Sequence, residues 1–142
     1  MSDLKSLEGK IIKDIIFGNN LDYSNLEARV IIDKMCLDGT ISCEELTFVT
    51  DDNLKYVFKH EQECCEQVYL KEIVGDLSDI YCQTVVSIEE VTGTGGDIGG
   101  YHDSFTYTYY KLKTSKGDVT ISWYGESNGY YTETPYLQIL KN

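Results

Sequence analysis

From residue 45 onward the apolar side chains recur at every second position, and that period leaves little room for anything but antiparallel sheet. Leu46 and Phe48 alternate with Glu45 and Thr47. After the turn Asp51-Asp52-Asn53, Leu54, Tyr56 and Phe58 alternate with Lys55, Val57 and Lys59. Val119, Ile121 and Trp123 alternate with Thr120, Ser122 and Tyr124. Successive side chains of a strand point to opposite faces, so this pattern buries one face and wets the other. It predicts a hairpin over 46–59, a third apolar stretch from Val68 to Val74, and a turn with a single helical turn over Gly75–Asp79. A strand over Thr84–Val91 comes next, then a long hairpin of Tyr101–Thr114 with Asp118–Tyr124. A short last strand, Leu137–Leu140, comes after Pro135, a residue tolerated only at an edge or a strand start.

The first 45 residues are less uniform. Leu4, Leu7, Ile11 and Ile15 have helical spacing, but Gly9 interrupts it and the isoleucines favour strand. This reads as a short turn followed by a strand from about Lys10 to Phe17. Gly18-Asn19-Asn20 breaks the chain. Ser24-Asn25-Leu26-Glu27 has the form of a capping box, which predicts a helix from about Asn25 to Leu37, stopped by Gly39. The whole is an α+β fold, mainly antiparallel β-sheet with one or two helices packed on it, in a single domain over residues 1–142. The stretch 19–43 reads as a helical insertion and Gly93–Gly100 as a flexible hairpin tip.

Charge narrows the partners. Among 142 residues, 24 are acidic and 12 basic, for a net charge of −12, and Arg29 is the only arginine. Phosphate backbones are held by Lys and Arg, so direct nucleic-acid binding is excluded as the expected role. No apolar run reaches the ~18 residues of a membrane span, and no cationic leader precedes an apolar stretch. The expectation is a cytoplasmic protein whose five cysteines, Cys36, Cys43, Cys64, Cys65 and Cys82, are free thiols and small buried apolar groups.

Four stretches imitate chemistry. Gly125-Glu126-Ser127-Asn128-Gly129 spells the G-x-S-x-G elbow of serine hydrolases, but residues 130–135 have no helical pattern and the alternating strand–helix order is missing. His60, Cys64 and Cys65 place imidazole beside thiols, the weak alternative for a metal or a Cys–His nucleophile. Adjacent cysteines rarely serve one ion, however, and no C-x-x-C exists. Asp38–Leu46 half-matches an EF-hand loop, with Lys34 and Cys36 where oxygen ligands belong. The glycine-rich 93–100 stretch lacks the Lys of a phosphate-binding loop. No cofactor, metal or catalytic set is therefore expected.

The twelve tyrosines carry more information. Phe105, Tyr107 and Tyr109 fall on one face of their strand and Tyr110 on the other. A solvated face does not need rings, and Tyr and Trp are enriched at interfaces.

Three segments together are distinctive: His60-x-Gln62-x-Cys64-Cys65-Glu66-x-Val68-Tyr69, Ile73-x-Gly75-Asp76-Leu77, and Tyr107-x-Tyr109-Tyr110-Lys111-Leu112 running into Trp123-Tyr124-Gly125-Glu126-Ser127-Asn128-Gly129-Tyr130-Tyr131. They resemble a small phage and prophage protein family of unknown function. The resemblance covers about Leu7–Phe17 and Leu46–Tyr131, with Asn19–Cys43 and Gly93–Gly100 as additions. It implies a phage-encoded accessory protein in the bacterial host cytosol, and no particular reaction.

Charge, rings and resemblance converge on stoichiometric binding. The expected role is an anti-defence, anti-CRISPR-like inhibitor that occupies a basic nucleic-acid-binding site on a host defence or nucleic-acid-processing protein. The candidate contact residues are Glu61, Glu63, Glu66, Asp76, Asp79, Trp123, Tyr124, Glu126, Asn128 and Tyr130. The alternatives are a sponge for a small nucleotide signal, with Trp123, Tyr124, Asn128, Tyr130 and His60 lining a pocket, and a hydrolase built on His60 with Cys64, Cys65 or Ser127.

Overall fold

The alternating segments pair into two antiparallel sheets whose inner faces share a core. The structure, a computed structural model, describes residues 3–18, 20–96, 104–129 and 131–141. Its strands are β1 (Ile12–Phe17), β2 (Leu21–Asp22), β3 (Glu45–Thr50), β4 (Leu54–Lys59), β5 (Gln67–Val74), β6 (Val85–Gly96), β7 (Ser104–Thr114), β8 (Asp118–Ser127) and β9 (Tyr136–Lys141). One helix, α1 (Leu26–Asp38), lies between β2 and β3, and short 3-10 turns cover Asp3–Leu7 and Leu77–Asp79. The five-stranded sheet runs β2-β1-β3-β4-β9 and the four-stranded sheet β5-β8-β7-β6. This is the α+β architecture the alternation predicts, with antiparallel sheet dominant and one α-helix.

Parity decides what the core receives. Tyr56 and Phe58 of β4, Tyr110 and Leu112 of β7, and Ile121 and Trp123 of β8 are all buried. The Phe58 and Tyr110 rings lie 4.8 Å apart and join the two sheets. Leu4 and Leu7 of the first 3-10 turn close the same core.

Helix α1 starts one residue later than the capping box implies. Asn25 is the N-cap, and its side-chain oxygen accepts from the Ala28 amide at 3.0 Å. The Ser24 hydroxyl turns away and donates to Asp22 at 2.7 Å. Gly39, at φ 72°, ends the helix in the left-handed conformation that glycine adopts without strain. The half EF-hand spacing is thus a helix stop followed by a loop into β3.

One further expectation is corrected. Gly93–Gly96 is not part of a hairpin tip, because β6 continues through it in register with Ser104–Tyr107. The rest of that predicted tip, 97–100, falls outside the described residues. In the G-x-S-x-G stretch, Gly125, Glu126 and Ser127 are the last residues of β8, and Gly129 follows them at φ 98°. Gly125 faces inward, where the chain at Glu133 folds back so closely that a Cβ would overlap the Glu133 carbonyl. The Glu133 carboxylate there accepts hydrogen bonds from Ser104, Thr106 and Ser127.

Candidate functional site

The outward parity of the four-stranded sheet gathers rings instead of charges. On β7, Thr106, Thr108 and Tyr110 turn into the core while Phe105, Tyr107 and Tyr109 face out and remain half-buried. Tyr107 stands opposite Tyr124 of β8, and Tyr124 opposite Tyr69 of β5, so three tyrosines cross the sheet in one row. Their centroids lie 5.1 Å apart for Tyr107–Tyr124 and 5.8 Å for Tyr69–Tyr124. Tyr109 stacks on Tyr107 at 6.0 Å with planes 8° apart, and Phe105 stacks on Tyr124 at 6.3 Å. The row continues onto Gly93 of β6, opposite Tyr107, where there is no side chain.

One cation sits among these rings. A bulge between Leu70 and Glu72 displaces Lys71 within β5. Its ammonium lies 4.9 Å from the Tyr124 centroid and 5.5 Å from that of Tyr107, and it donates to the Tyr107 hydroxyl at 3.3 Å. That hydrogen bond raises the Lys71 pKa against the opposing effect of burial. Burial, and then the neighbouring Glu126 carboxylate, pushes the Tyr124 hydroxyl up to about 12. Lys71, Glu72, Tyr107, Tyr109, Ser122 and Gly39 line a shallow depression of about 200 Å³ beside the row. The negative face of an aromatic ring attracts cations, so a packed row of rings with carboxylates at its border suits Lys and Arg side chains.

Of the predicted contact residues, Tyr124 and Glu126 belong to this face. Trp123 does not: it has the opposite parity and is 0% exposed, and among the described residues neither its indole Nε1 nor the adjacent Thr108 hydroxyl has a partner. Glu66 is also lost as a contact, since it is 1% exposed. Glu61 and Glu63 are exposed on the loop before β5, and Glu61 accepts from the Tyr136 hydroxyl at 3.1 Å. Asp76 and Asp79 lie beyond the other end of β5, lining a cavity of about 520 Å³ with Asp33 and Asp118. An eight-residue strand is about 26 Å long, so these carboxylates do not form one acidic face with Glu61 and Glu63. Asn128 is exposed just past β8, and Tyr130 falls outside the described residues.

The His60 block is tied together by its own hydrogen bonds. His60 Nε2 lies 2.7 Å from Glu66 Oε2, and Nδ1 lies 3.2 Å from the Thr134 carbonyl oxygen. The Glu66 carboxylate also accepts from the Glu63 and Cys64 amides, each at 2.9 Å. Burial would raise its pKa, but the hydrogen bonds from His60 and these amides outweigh burial and hold it at about 2. Cys64 and Cys65 are joined in a disulfide, which corrects the expectation of free thiols there. Cys36 and Cys43 are free and half-buried, and burial pushes both thiols up to about 11; Cys82 is free and exposed. Ser127 donates to Glu133 and accepts from the Gly129 amide, and among the described residues no imidazole bonds to it. Among the described residues no three His, Cys, Asp or Glu side chains converge on a metal-sized site.

Sequence reasoning missed Tyr69 and Lys71. Tyr69 was legible from its parity between Val68 and Leu70. Lys71 was not, because its place on the ring face depends on a bulge that leaves no mark in the spacing.

Fold and face define a two-sheet α+β protein with an open aromatic sheet surface. Residues 6–137 match DUF7448, a domain of unknown function, and the chain belongs to this family. The matched span includes both 19–43 and 93–100. No curated protein and no solved structure matches the chain.

Proposed function

We propose that the chain acts by stoichiometric binding, with the outer face of the four-stranded sheet as its contact surface. The proposed partner is a basic, nucleic-acid-binding site on a host protein. One observation carries this: Tyr69, Phe105, Tyr107, Tyr109 and Tyr124 are stacked together on an outward face. Packed rings left half-open to water mark interaction surfaces in soluble proteins. The net charge of −12 supports a cationic partner, since complementary charge speeds encounter and disfavours other targets. A nuclease channel that holds a phosphate backbone has that character, which keeps an anti-defence role within the proposal. The depression beside the rings, about 200 Å³, is smaller than the roughly 300–1,000 Å³ of small-molecule sites, so the ring face itself does not favour the sponge alternative.

The test compares the wild-type chain with a Tyr107→Ser/Tyr124→Ser double variant as bait in host extract. The retained proteins are identified and each is then titrated in purified form. The expected result is a nucleic-acid-binding protein bound one-to-one by the wild type and lost by the variant, with both showing the same circular dichroism. Equal retention by the two chains would refute the assignment of the face.

A further inference from the structure

We propose that the free edge of β6, from Glu90 to Thr94, accepts an extended basic segment of the partner protein as a fifth strand of the sheet. This rests on the binding role above and specifies how the partner docks.

Strand β6 is the outermost strand of its sheet, paired on one side with β7. The first part of its other side is closed by the N-terminal segment. The Gly9 amide donates to the Val85 carbonyl at 2.8 Å, and the Val85 amide to the Lys10 carbonyl at 2.9 Å. Further along, the Ile88 amide donates to the Glu8 carboxylate at 3.0 Å, and the Lys5 ammonium donates to the Ile88 carbonyl at 2.5 Å. The backbone groups of Ile88 therefore point away from β7. Strand geometry alternates, so those of Glu90, Thr92 and Thr94 point the same way. Among the described residues nothing bonds them there. The protection that Glu8 and Lys5 give Ile88 stops short of these three.

Natural edges of this length are blunted by charged side chains, proline, bulges or a covering element. Past Glu90, the stretch Val91-Thr92-Gly93-Thr94 carries no charge and no proline, and its register with β7 is unbroken. Gly93 opposite Tyr107 and Gly95 opposite Phe105 also remove the side chains that would separate the edge from the rings. A Cβ at Gly93 would meet nothing within 4 Å. An added strand would lie about 10 Å from β7, two strand spacings away. An arginine opposite Gly93 can reach across that gap to the Tyr107 ring.

Charge selects the occupant. Pairing of β6 with a second copy would bring two chains of net charge −12 together with Glu89 and Glu90 of each at the seam. A strand bearing Arg or Lys at alternate positions on the ring side meets Glu89, which shares the outward parity of Gly93, favourably. Its main chain supplies affinity and its alternate side chains specificity, the division seen in strand addition generally.

The experiment uses an alternating Arg-Val octapeptide as the probe and follows backbone amides by hydrogen exchange. In the free protein, the Thr92 and Thr94 amides exchange fast. With the peptide they become protected at least tenfold, while Val91 and Gly93, already bonded to β7, change little. Thr92→Pro removes one edge donor at a position where proline is tolerated, and weakens binding at least tenfold. If that variant misfolds, an octapeptide N-methylated at alternate residues blocks the same pairing from the ligand side. Equal binding of the N-methylated peptide or of an alternating Glu-Val octapeptide would overturn the proposal. So would protection of Thr92 and Thr94 that rises with protein concentration and no peptide, the mark of self-pairing. A peptide that binds without protecting β6, and is lost in Tyr107→Ser/Tyr124→Ser, overturns the edge while leaving the face intact. No binding of any peptide, together with unchanged partner retention by that double variant, removes both.

Discussion

Glu66 shows how much of this molecule depends on single polar side chains held in place. Its folded carboxyl titrates at about 2 against an ordinary 4.5. Between those values the unfolded chain binds more protons than the folded one, so stability falls with falling pH there. The contribution of Glu66 is complete above about pH 4.5 and lost toward pH 2. Asp14 has the opposite sign. Burial, and then its hydrogen bond with the Asp22 carboxyl, raises its pKa from 3.8 to about 6, so its contribution is complete below 3.8 and declines as pH rises through 6. Urea midpoints measured across pH should resolve both windows. Glu66→Gln should flatten the acid arm below about 4.5, and Asp14→Asn the decline between 3.8 and 6. A wild-type acid arm retained in Glu66→Gln would place the acid sensitivity elsewhere. Gly125 offers a test by addition of one methyl group. A Cβ there collides with the Glu133 carbonyl, so Gly125→Ala should destabilise the fold by about 1–3 kcal/mol, the range for overpacking. Thermal melts would show it, and a change within about 0.5 kcal/mol would mean that the 131–135 segment moves aside freely.

Among the elements, α1 is lightly anchored for its length. It buries Ala28 and Ile32, yet exposes Leu26, Val30 and Leu37. Part of its hold comes from Arg29, whose guanidinium lies 5.0 Å from the Tyr23 ring and 4.8 Å from that of Tyr81, and from the Tyr23 hydroxyl donating to Asp33 at 2.9 Å. With so few apolar contacts the cap weighs more. Asn25→Ala should cost about 1 kcal/mol and speed amide exchange in α1 ahead of the sheets, whereas Ser24→Ala should leave the helix intact. The reverse order would restore Ser24 as the cap. That reassignment shows where the sequence stops being legible. The strands can be read because their period of two is a property of each segment alone. Which of two neighbouring polar residues caps the helix is settled by Asp14 and Asp22, carboxylates from β1 and β2 that draw Ser24 away. Gly93–Gly96 reads as a tip because glycine disfavours strands, but pairing with β7 overrides that preference. Trp123 has the residue type of a contact, yet its alternation with Tyr124 already places the two on opposite faces. The Glu66–His60 pair cannot be read at all, because charged residues in a polar loop ordinarily remain in water.

At the scale of the whole molecule, the charge of −12 and the aromatic face act at different stages of binding. Charge acts at long range, before contact, and is screened beyond about 8 Å at physiological ionic strength. The rings act only after contact, by excluding water and by stacking on cationic side chains. With a basic partner the two should separate in kinetics. Raising salt from low to physiological strength should slow association severalfold and leave dissociation nearly unchanged. Tyr107→Ser/Tyr124→Ser should do the converse: it should speed dissociation at least tenfold at every salt concentration and barely alter the salt slope of association. Surface-binding kinetics on wild type and variant across a salt series give both quantities in one experiment. Association indifferent to salt would mean that the net charge serves only solubility and that the partner is not basic. Dissociation indifferent to the tyrosines would mean that contact is made elsewhere, and attention would pass to the exposed Leu26, Val30 and Leu37 of α1.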